Sequence, residues 1–216
     1  MKIIRCEHKT KCFKEKECVL DTSFFNEMKD VLSAHGLIVY PTDTLYAIGA
    51  DPFDRKAMDK LHLAKKRPID MPISIAVRDL KMMEEIAVLN DAAVKIYQNF
   101  LPGALTILLR KKGLRSFPFK TIGIRIPDHP FVKRLTEVTG LITCTSANVH
   151  NGKAPINVDI AVEQLGERID LYVDCGECCL KKPSTIIDIS KDRIKLIREG
   201  AIPLKMLQRM EGLFDE

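Results

Sequence analysis

With 216 residues, 46% of them hydrophobic and 29% charged, the chain is long enough to bury a substantial core as one domain and is excluded from the disordered class. Its 34 Lys and Arg against 29 Asp and Glu leave a formal charge of +5, compatible with an anionic ligand but too small to require nucleic acid. No apolar run reaches membrane-spanning length, and the opening Met1-Lys2-Ile3-Ile4-Arg5-Cys6-Glu7 lacks the apolar stretch of a signal peptide, so a soluble cytoplasmic protein without membrane partners is expected.

Residues 1–20 are polar apart from a short strand expected at Met1 to Cys6. Behind the capping cluster Asp21-Thr22-Ser23, the helical spacing of Phe24, Phe25, Met28, Val31 and Leu32 predicts a helix that Gly36 ends. Two apolar runs, Leu37 to Tyr40 and Leu45 to Ala50, read as strands around Pro41-Thr42-Asp43-Thr44. Pro41 donates no N–H, and the three polar side chains can bond their own backbone. A tight turn should therefore present two hydroxyls and a carboxylate on a rigid support, or merely cap the strand ends. Asp54 caps a helix whose inner face is Ala57, Leu61 and Ala64 and which ends in Lys65-Lys66-Arg67-Pro68. Basic residues complement a helix C-terminus, but Pro68 turns the chain out just after them and places the charges on a loop.

Ile73 to Val77 reads as a buried strand, and Asp91 opens a helix through Ala92, Val94, Ile96, Tyr97 and Phe100 that Pro102-Gly103 stops. Strands are expected at Ala104 to Leu109 and Thr121 to Ile126. Between them lie Arg110, Lys111, Lys112, Arg115 and Lys120 with Phe117 and Phe119 interleaved, a mixture suited to RNA or to a solvated loop with two anchoring rings. Packing least explains Arg125, which either faces outward by alternation or binds a carboxylate at a pocket edge. After a helix over His129 to Thr139, a strand over Leu141 to Cys144 runs into Thr145-Ser146-Ala147-Asn148, an anion-binding loop in type. No Walker or GxGxxG pattern occurs, and nothing like GxSxG marks Ser146 as a nucleophile. Asn157 or Asp159 opens a helix to Leu165. Ser184 to Ile189 and Ile194 to Ile197 form a hairpin about Ser190-Lys191-Asp192 with Arg198 at its exit, and Pro203 begins a terminal helix.

Seven cysteines, an odd number in a chain that needs no disulfide, point to reduced structural thiols in a reducing compartment. Cys6, Cys12 and Cys18 are evenly spaced, and Cys175, Cys178 and Cys179 form a second group. A thiolate zinc site or a disulfide is the alternative, and zinc would need the N-terminus beside the second group.

Seven segments recur in one order: Tyr40 to Asp51 (YPTDTLYAIGAD), Lys65-Lys66-Arg67-Pro68, Pro72-Ile73-Ser74-Ile75, Leu101-Pro102-Gly103, Gly123 to Pro127 (GIRIP), Ser146-Ala147-Asn148 and Pro183 to Asp188 (PSTIID). Over roughly residues 20–205 this pattern resembles the YrdC/Sua5/TsaC family of threonylcarbamoyl-AMP synthases. The resemblance implies an α/β domain, 21–205, with a twisted mixed sheet flanked by helices around a basic cavity, between a polar segment 1–20 and a tail or helix 206–216. It implies condensation of L-threonine, bicarbonate and ATP, with Mg²⁺, into threonylcarbamoyl-AMP and pyrophosphate. The product feeds t6A formation at position 37 of tRNA by a downstream transfer machinery. Lys65 and Arg67 match the family's catalytic, phosphate-contacting KxR pair, and Ser146, Asn148 and Arg198 complete the nucleotide side with Thr121 and the backbone near Met71 and Ala154. Thr44, Arg125, Cys144 and Ser184 match the threonine side, and no protein metal site is implied. Ala76 stands where Sua5 relatives carry His, Ala47 where many carry Gly and Ala154 where Ser is common. The chain has the length of the short stand-alone form. A non-catalytic tRNA- or double-stranded-RNA-binding protein of the same fold, or a HypF-like carbamoyl transferase, is the alternative.

Overall fold

The computed structural model describes residues 1–6, 21–113, 118–191 and 193–209; the readings placed on Cys12, Cys18, Arg115, Phe117 and Asp192 lie outside the described residues. Helices start where a short polar side chain can take up a free first-turn amide. Asp21, Asp54, Asn90, His129 and Asn157 do this for α1 (Thr22–Ser33), α2 (Arg55–Lys65), α4 (Asp91–Phe100), α5 (Pro130–Thr139) and α6 (Val158–Leu165). Asp79 caps α3 (Leu80–Ile86), an element the sequence reading does not contain because its seven residues are too few for a helical period to register. Pro203 precedes α7 (Leu204–Gln208).

The strands are β1 (Lys2–Arg5), β2 (Ile38–Tyr40), β3 (Ala47–Gly49), β4 (Ile75–Ala76), β5 (Ala87–Val88), β6 (Leu105–Lys111), β7 (Thr121–Arg125), β8 (Ile142–Thr143), β9 (Thr145–Ser146), β10 (Leu171–Asp174), β11 (Thr185–Asp188) and β12 (Lys195–Arg198). The expected mixed α/β class holds, with the strands divided between two sheets. One runs β1-β10-β2-β3-β9, and the other runs β12-β11-β6-β7-β4-β8 with β5 attached to β6. The chain passes from one sheet to the other at Cys144, between β8 and β9. That seam is closed by hydrogen bonds. Thr143 N donates to Ala50 O at 3.0 Å, Thr143 Oγ1 donates to Ile48 O at 3.0 Å and accepts from Ala50 N at 2.8 Å, and Cys144 N donates to Ser74 O at 2.7 Å.

Alternation along the strands decides what lies on each face. Ile38 and Tyr40 join Phe25, Met28 and Phe131 of α1 and α5 on one side of the five-stranded sheet. Val39 joins Leu61 and Ala161 of α2 and α6 on the other. In the second sheet Leu105, Ile107 and Leu109 pack with Ile122, Ile124 and Ile187 against Ile96 of α4. Their sequence neighbours Thr106, Leu108, Gly123, Arg125 and Ile186 are thereby turned to the opposite face.

The Pro-Thr-Asp-Thr turn closes on itself as expected, with Thr42 Oγ1 donating to Leu45 O at 2.6 Å and accepting from Thr44 N at 3.2 Å and Leu45 N at 3.3 Å. The cysteines require a correction. β1 pairs in parallel with β10 in the register Arg5 with Asp174, so Cys6 and Cys175 leave adjacent strands side by side and are joined as a disulfide across a sequence separation of 169. The strand β10 had no place in the sequence reading, and without it nothing in the chain brings these two thiols together. Although the N-terminal strand does lie beside the second cysteine group, no cluster of three or more His, Cys, Asp or Glu suited to a metal occurs among the described residues. No helix of the described residues is long and apolar enough to cross a membrane.

Gly200 packs directly on the chain leading into β11. A Cβ there would lie 2.3 Å from Pro183 O and 2.6 Å from Ser184 O, both backbone atoms that cannot rotate away. Gly200→Ala should therefore destabilise the protein by about 1–3 kcal/mol, read from the urea unfolding midpoint, as expected of overpacking.

Candidate functional site

The face left over by β-strand alternation is the floor of a cavity of about 320 Å³. Thr106 and Leu108 of β6, Gly123 and Arg125 of β7 and Ile186 of β11 line it. Register places Thr106 directly opposite Arg125 and Leu108 directly opposite Gly123, so the floor has one polar row and one apolar row. The walls come from distant segments: Thr44 to Ala47, the loop Arg67 to Ser74, Cys144 to Ser146 at the seam, Pro183-Ser184, and Ile197-Arg198. No Asp or Glu is among the residues that line it.

Eight of the twelve residues expected to hold substrate line this cavity: Thr44, Arg67, Met71, Arg125, Cys144, Ser146, Ser184 and Arg198. Lys65, Thr121, Asn148 and Ala154 do not. Lys65 is buried beneath the Ser146 loop, where its ammonium donates to the carbonyl of Ser146 and, at 2.9 Å, to that of Asn148. Asn148 in turn accepts the Ser146 hydroxyl at 2.6 Å and donates to Gly152 O at 2.9 Å. Both residues brace the loop from behind. Thr121 pairs with Arg110 at the far end of β7. Ala154 is exposed, its carbonyl accepting from Ile156 N at 3.0 Å, while the next carbonyl, of Pro155, accepts from Tyr46 N at 2.8 Å. Ala76 packs with Tyr40 and Phe131 and does not line the cavity.

Arg125 faces inward, at 5% exposure, which removes the outward-facing alternative. Its guanidinium donates to the Asp43 carboxylate and reaches Thr42 Oγ1 at 3.4 Å. Burial works hardest against that charge, but the Asp43 carboxylate is the first of the groups that oppose it, and the guanidinium is held above the ordinary arginine range. Cys144 itself is pushed up by burial and stays a neutral thiol. Arg67 donates to Pro72 O at 3.0 Å and Arg198 to Ser184 O at 2.9 Å. Burial lowers both, and for Arg198 the charges of Arg125 and Arg67 add to it. The Nε atoms of Arg67 and Arg125 are buried with no acceptor among the described residues. Three crowded guanidiniums, two with a spare buried donor, make a site that gains from anions.

Sequence reasoning gave no site role to Thr106, Leu108, Gly123, Ile186 or Ile197, all of which line the cavity. Thr106 is the one polar break in Leu105 to Leu109, a faint signal whose meaning lies in its pairing with Arg125.

The Sua5/YciO/YrdC family model, described as telomere recombination, matches residues 30–200. A putative threonylcarbamoyl-AMP synthase of Methanocaldococcus jannaschii is 43% identical over 183 residues, 84% of this chain and 87% of that protein. The crystal structure of Pyrococcus abyssi Sua5 complexed with L-threonine superimposes with a TM-score of 0.88 at 25% identity, covering 99% of this chain and 62% of that one. Escherichia coli YciO does so with a TM-score of 0.79 at 25% identity, covering 94% and 97% of the two chains.

His129, the cap of α5, accepts from Phe131 N at 3.1 Å. Burial, with the Arg125 charge adding to it, pushes its imidazole down to about 3. In the unfolded chain the value is about 6.5. Below that pH the unfolded state takes up a proton that the folded state refuses, so stability is lost as pH falls from about 6.5 toward 3. Urea midpoints measured from pH 7 to pH 4 should fall accordingly, and His129→Asn, which keeps a capping side chain, should flatten that fall by up to about 1.4 kcal/mol per pH unit.

Proposed function

The chain belongs to the Sua5/YciO/YrdC family, and we propose that it is an L-threonylcarbamoyladenylate synthase, a nucleotidyltransferase that consumes L-threonine, bicarbonate and ATP. The observation that carries this reading is the convergence of Arg67, Arg125 and Arg198, from three separated segments, on one cavity whose lining carries no carboxylate. In the reaction, the threonine amine takes up the bicarbonate carbon and water is lost. One oxygen of the resulting carbamate then attacks the α-phosphorus of ATP, the bond to the β-phosphate oxygen breaks, and pyrophosphate leaves. Anion meets anion while a third departs, so compensation by fixed cations is the main catalytic requirement.

Arg67 and Arg198, which share the cavity with Ser146, meet the phosphates in this reading, and Ser146 with its amides adds hydrogen bonds. Lys65 and Asn148 act from behind by holding that loop in place, and Met71 borders the nucleotide side, while Thr121 and Ala154, outside the cavity, could be met only by a part of the nucleotide that extends beyond it. The apolar row Leu108, Gly123 and Ile186 with Ile197 suits the base. Arg125, oriented by Asp43, takes the threonine carboxylate between Thr44, Cys144 and Ser184. Mg²⁺ would arrive on the phosphates of ATP. The lining residues offer it no carboxylate. The product, a mixed anhydride, would pass its carbamoyl-threonine to tRNA through a downstream transfer machinery in the cytoplasm. The exposed Arg110, Lys112 and Lys120 at the end of the β6–β7 hairpin are where tRNA or another RNA would approach.

Pyrophosphate release from ATP should depend on both threonine and bicarbonate, with serine as the control; release indifferent to either removes the assignment. Arg67→Ala should cut this rate on the order of a hundredfold, about 3 kcal/mol of lost phosphate stabilisation, and Lys65→Ala should do the same by loosening the Ser146 loop. Arg125→Ala should raise the KM for threonine far more than that for ATP, measured by initial rates with each substrate varied in turn.

A further inference from the structure

Thr106 is a buried hydroxyl in the apolar run Leu105 to Leu109 of β6, and it lines the cavity. Its Oγ1 lies 2.8 Å from the Oγ of Ser184, which is also buried. Two hydroxyls carry two hydrogens, and the bond between them uses one. The second hydrogen and the remaining lone pairs have no side-chain or backbone partner among the hydrogen bonds of the described residues, so they face the cavity beside Arg125, the direct cross-strand neighbour of Thr106. A buried hydroxyl pair left half-satisfied in this way calls for a ligand group that both donates and accepts.

On the synthase reading above, on which this inference rests, the substrate offers three polar groups. Its carboxylate lies on Arg125. Its amine becomes the carbamate and must stay open toward the phosphates held by Arg67 and Arg198. The side-chain hydroxyl remains, and it is the donor–acceptor group that the pair requires. We propose that Thr106 is a specificity-determining residue: with Ser184 it reads the β-hydroxyl of the amino-acid substrate, so that threonine is distinguished from valine, its hydroxyl-free isostere. A site built around a hydroxyl rejects the analogue that lacks one, because its own polar groups are then stranded.

The test is equilibrium binding of L-threonine and L-valine to the full chain by calorimetry, for the wild type, Thr106→Val, Thr106→Ser and Ser184→Ala. Thr106→Val should weaken threonine binding about tenfold, the factor a single neutral hydrogen bond is worth, and leave valine binding no weaker than wild type. Thr106→Ser, which keeps the hydroxyl, should bind threonine within twofold of wild type. Ser184→Ala should lose the same selectivity, and the double variant Thr106→Val with Ser184→Ala should be little worse than either single one, since both break one unit. Equal weakening of threonine and valine, or unchanged threonine binding in Thr106→Val, overturns the proposal. So does additive loss in the double variant. Because binding is read without turnover, failure of the synthase reading shows separately, as selective threonine binding with no threonine- and bicarbonate-dependent pyrophosphate release.

Discussion

A guanidinium withdrawn from water has to be neutralised from inside the fold, and Arg125 is neutralised across the gap between two sheets. It stands on β7 of the seven-stranded sheet, while Asp43 follows β2 of the five-stranded one. Such a pair adds little net stability, because desolvation of both ions offsets their attraction, but removing either partner strands a charge at a cost of about 3–5 kcal/mol. Its effect is therefore on arrangement more than on stability: the two sheets pack in the one way that brings this carboxylate to this cation. The hydrogen bonds of Thr143 at the seam then fix the same relation through the backbone. The cavity is the space between the sheets that this relation leaves, and the cation that fixes it is also the one aimed into it.

The chemistry inside follows from strand periodicity. Period-two alternation sends Leu105, Ile107 and Ile124 to the core and leaves a face where nothing apolar is packed on top. On that face the register, rather than any local motif, sorts polar from apolar. Thr106 and Arg125 share one row, Leu108 and Gly123 the next. A ligand with a charged or hydroxylated end and a flat apolar end is thus matched along the sheet. The phosphate side is built differently, from loops, and loops need bracing. Lys65, Asn148 and Gly152 form a chain of hydrogen bonds under Ser146 that keeps its backbone from relaxing into the cavity.

Much of this was legible in the sequence because it is local. Caps such as Asp21, Asp54 and Asn157, the self-bonded Thr42 turn, and the hairpin of β11 and β12 all announce themselves within a few residues. The family resemblance also assigned a site role to eight of the lining residues. What escaped is long-range. The strand β10 is a short apolar run, and only its pairing with β1 and β2 makes it an interior strand of a sheet. The motif pair Lys65 and Arg67, two residues apart, diverges because α2 ends between them: Lys66 adopts a left-handed φ of 49° that sends one side chain under the loop and the other into the cavity. Asp43 read as a turn residue, since nothing nearby in the chain needs a counter-ion.

The parallel pairing of β1 with β10 has a consequence for how the chain is made. The two strands are separated by 169 residues, so during synthesis the amino-terminal strand leaves the ribosome long before its partner exists. Until then its backbone amides and carbonyls form an unmatched edge, open to pairing with whatever strand it meets. The second sheet does not share this dependence to the same degree, because β6 and β7 are a hairpin that closes locally. The hairpin that carries Arg125 can thus order early, while both sheets are completed by late strands, β10 in one and β11 and β12 in the other. A nascent chain halted before Leu171 would hold both the cation and its counter-charge with neither sheet complete, β10 missing from one and β11 and β12 from the other.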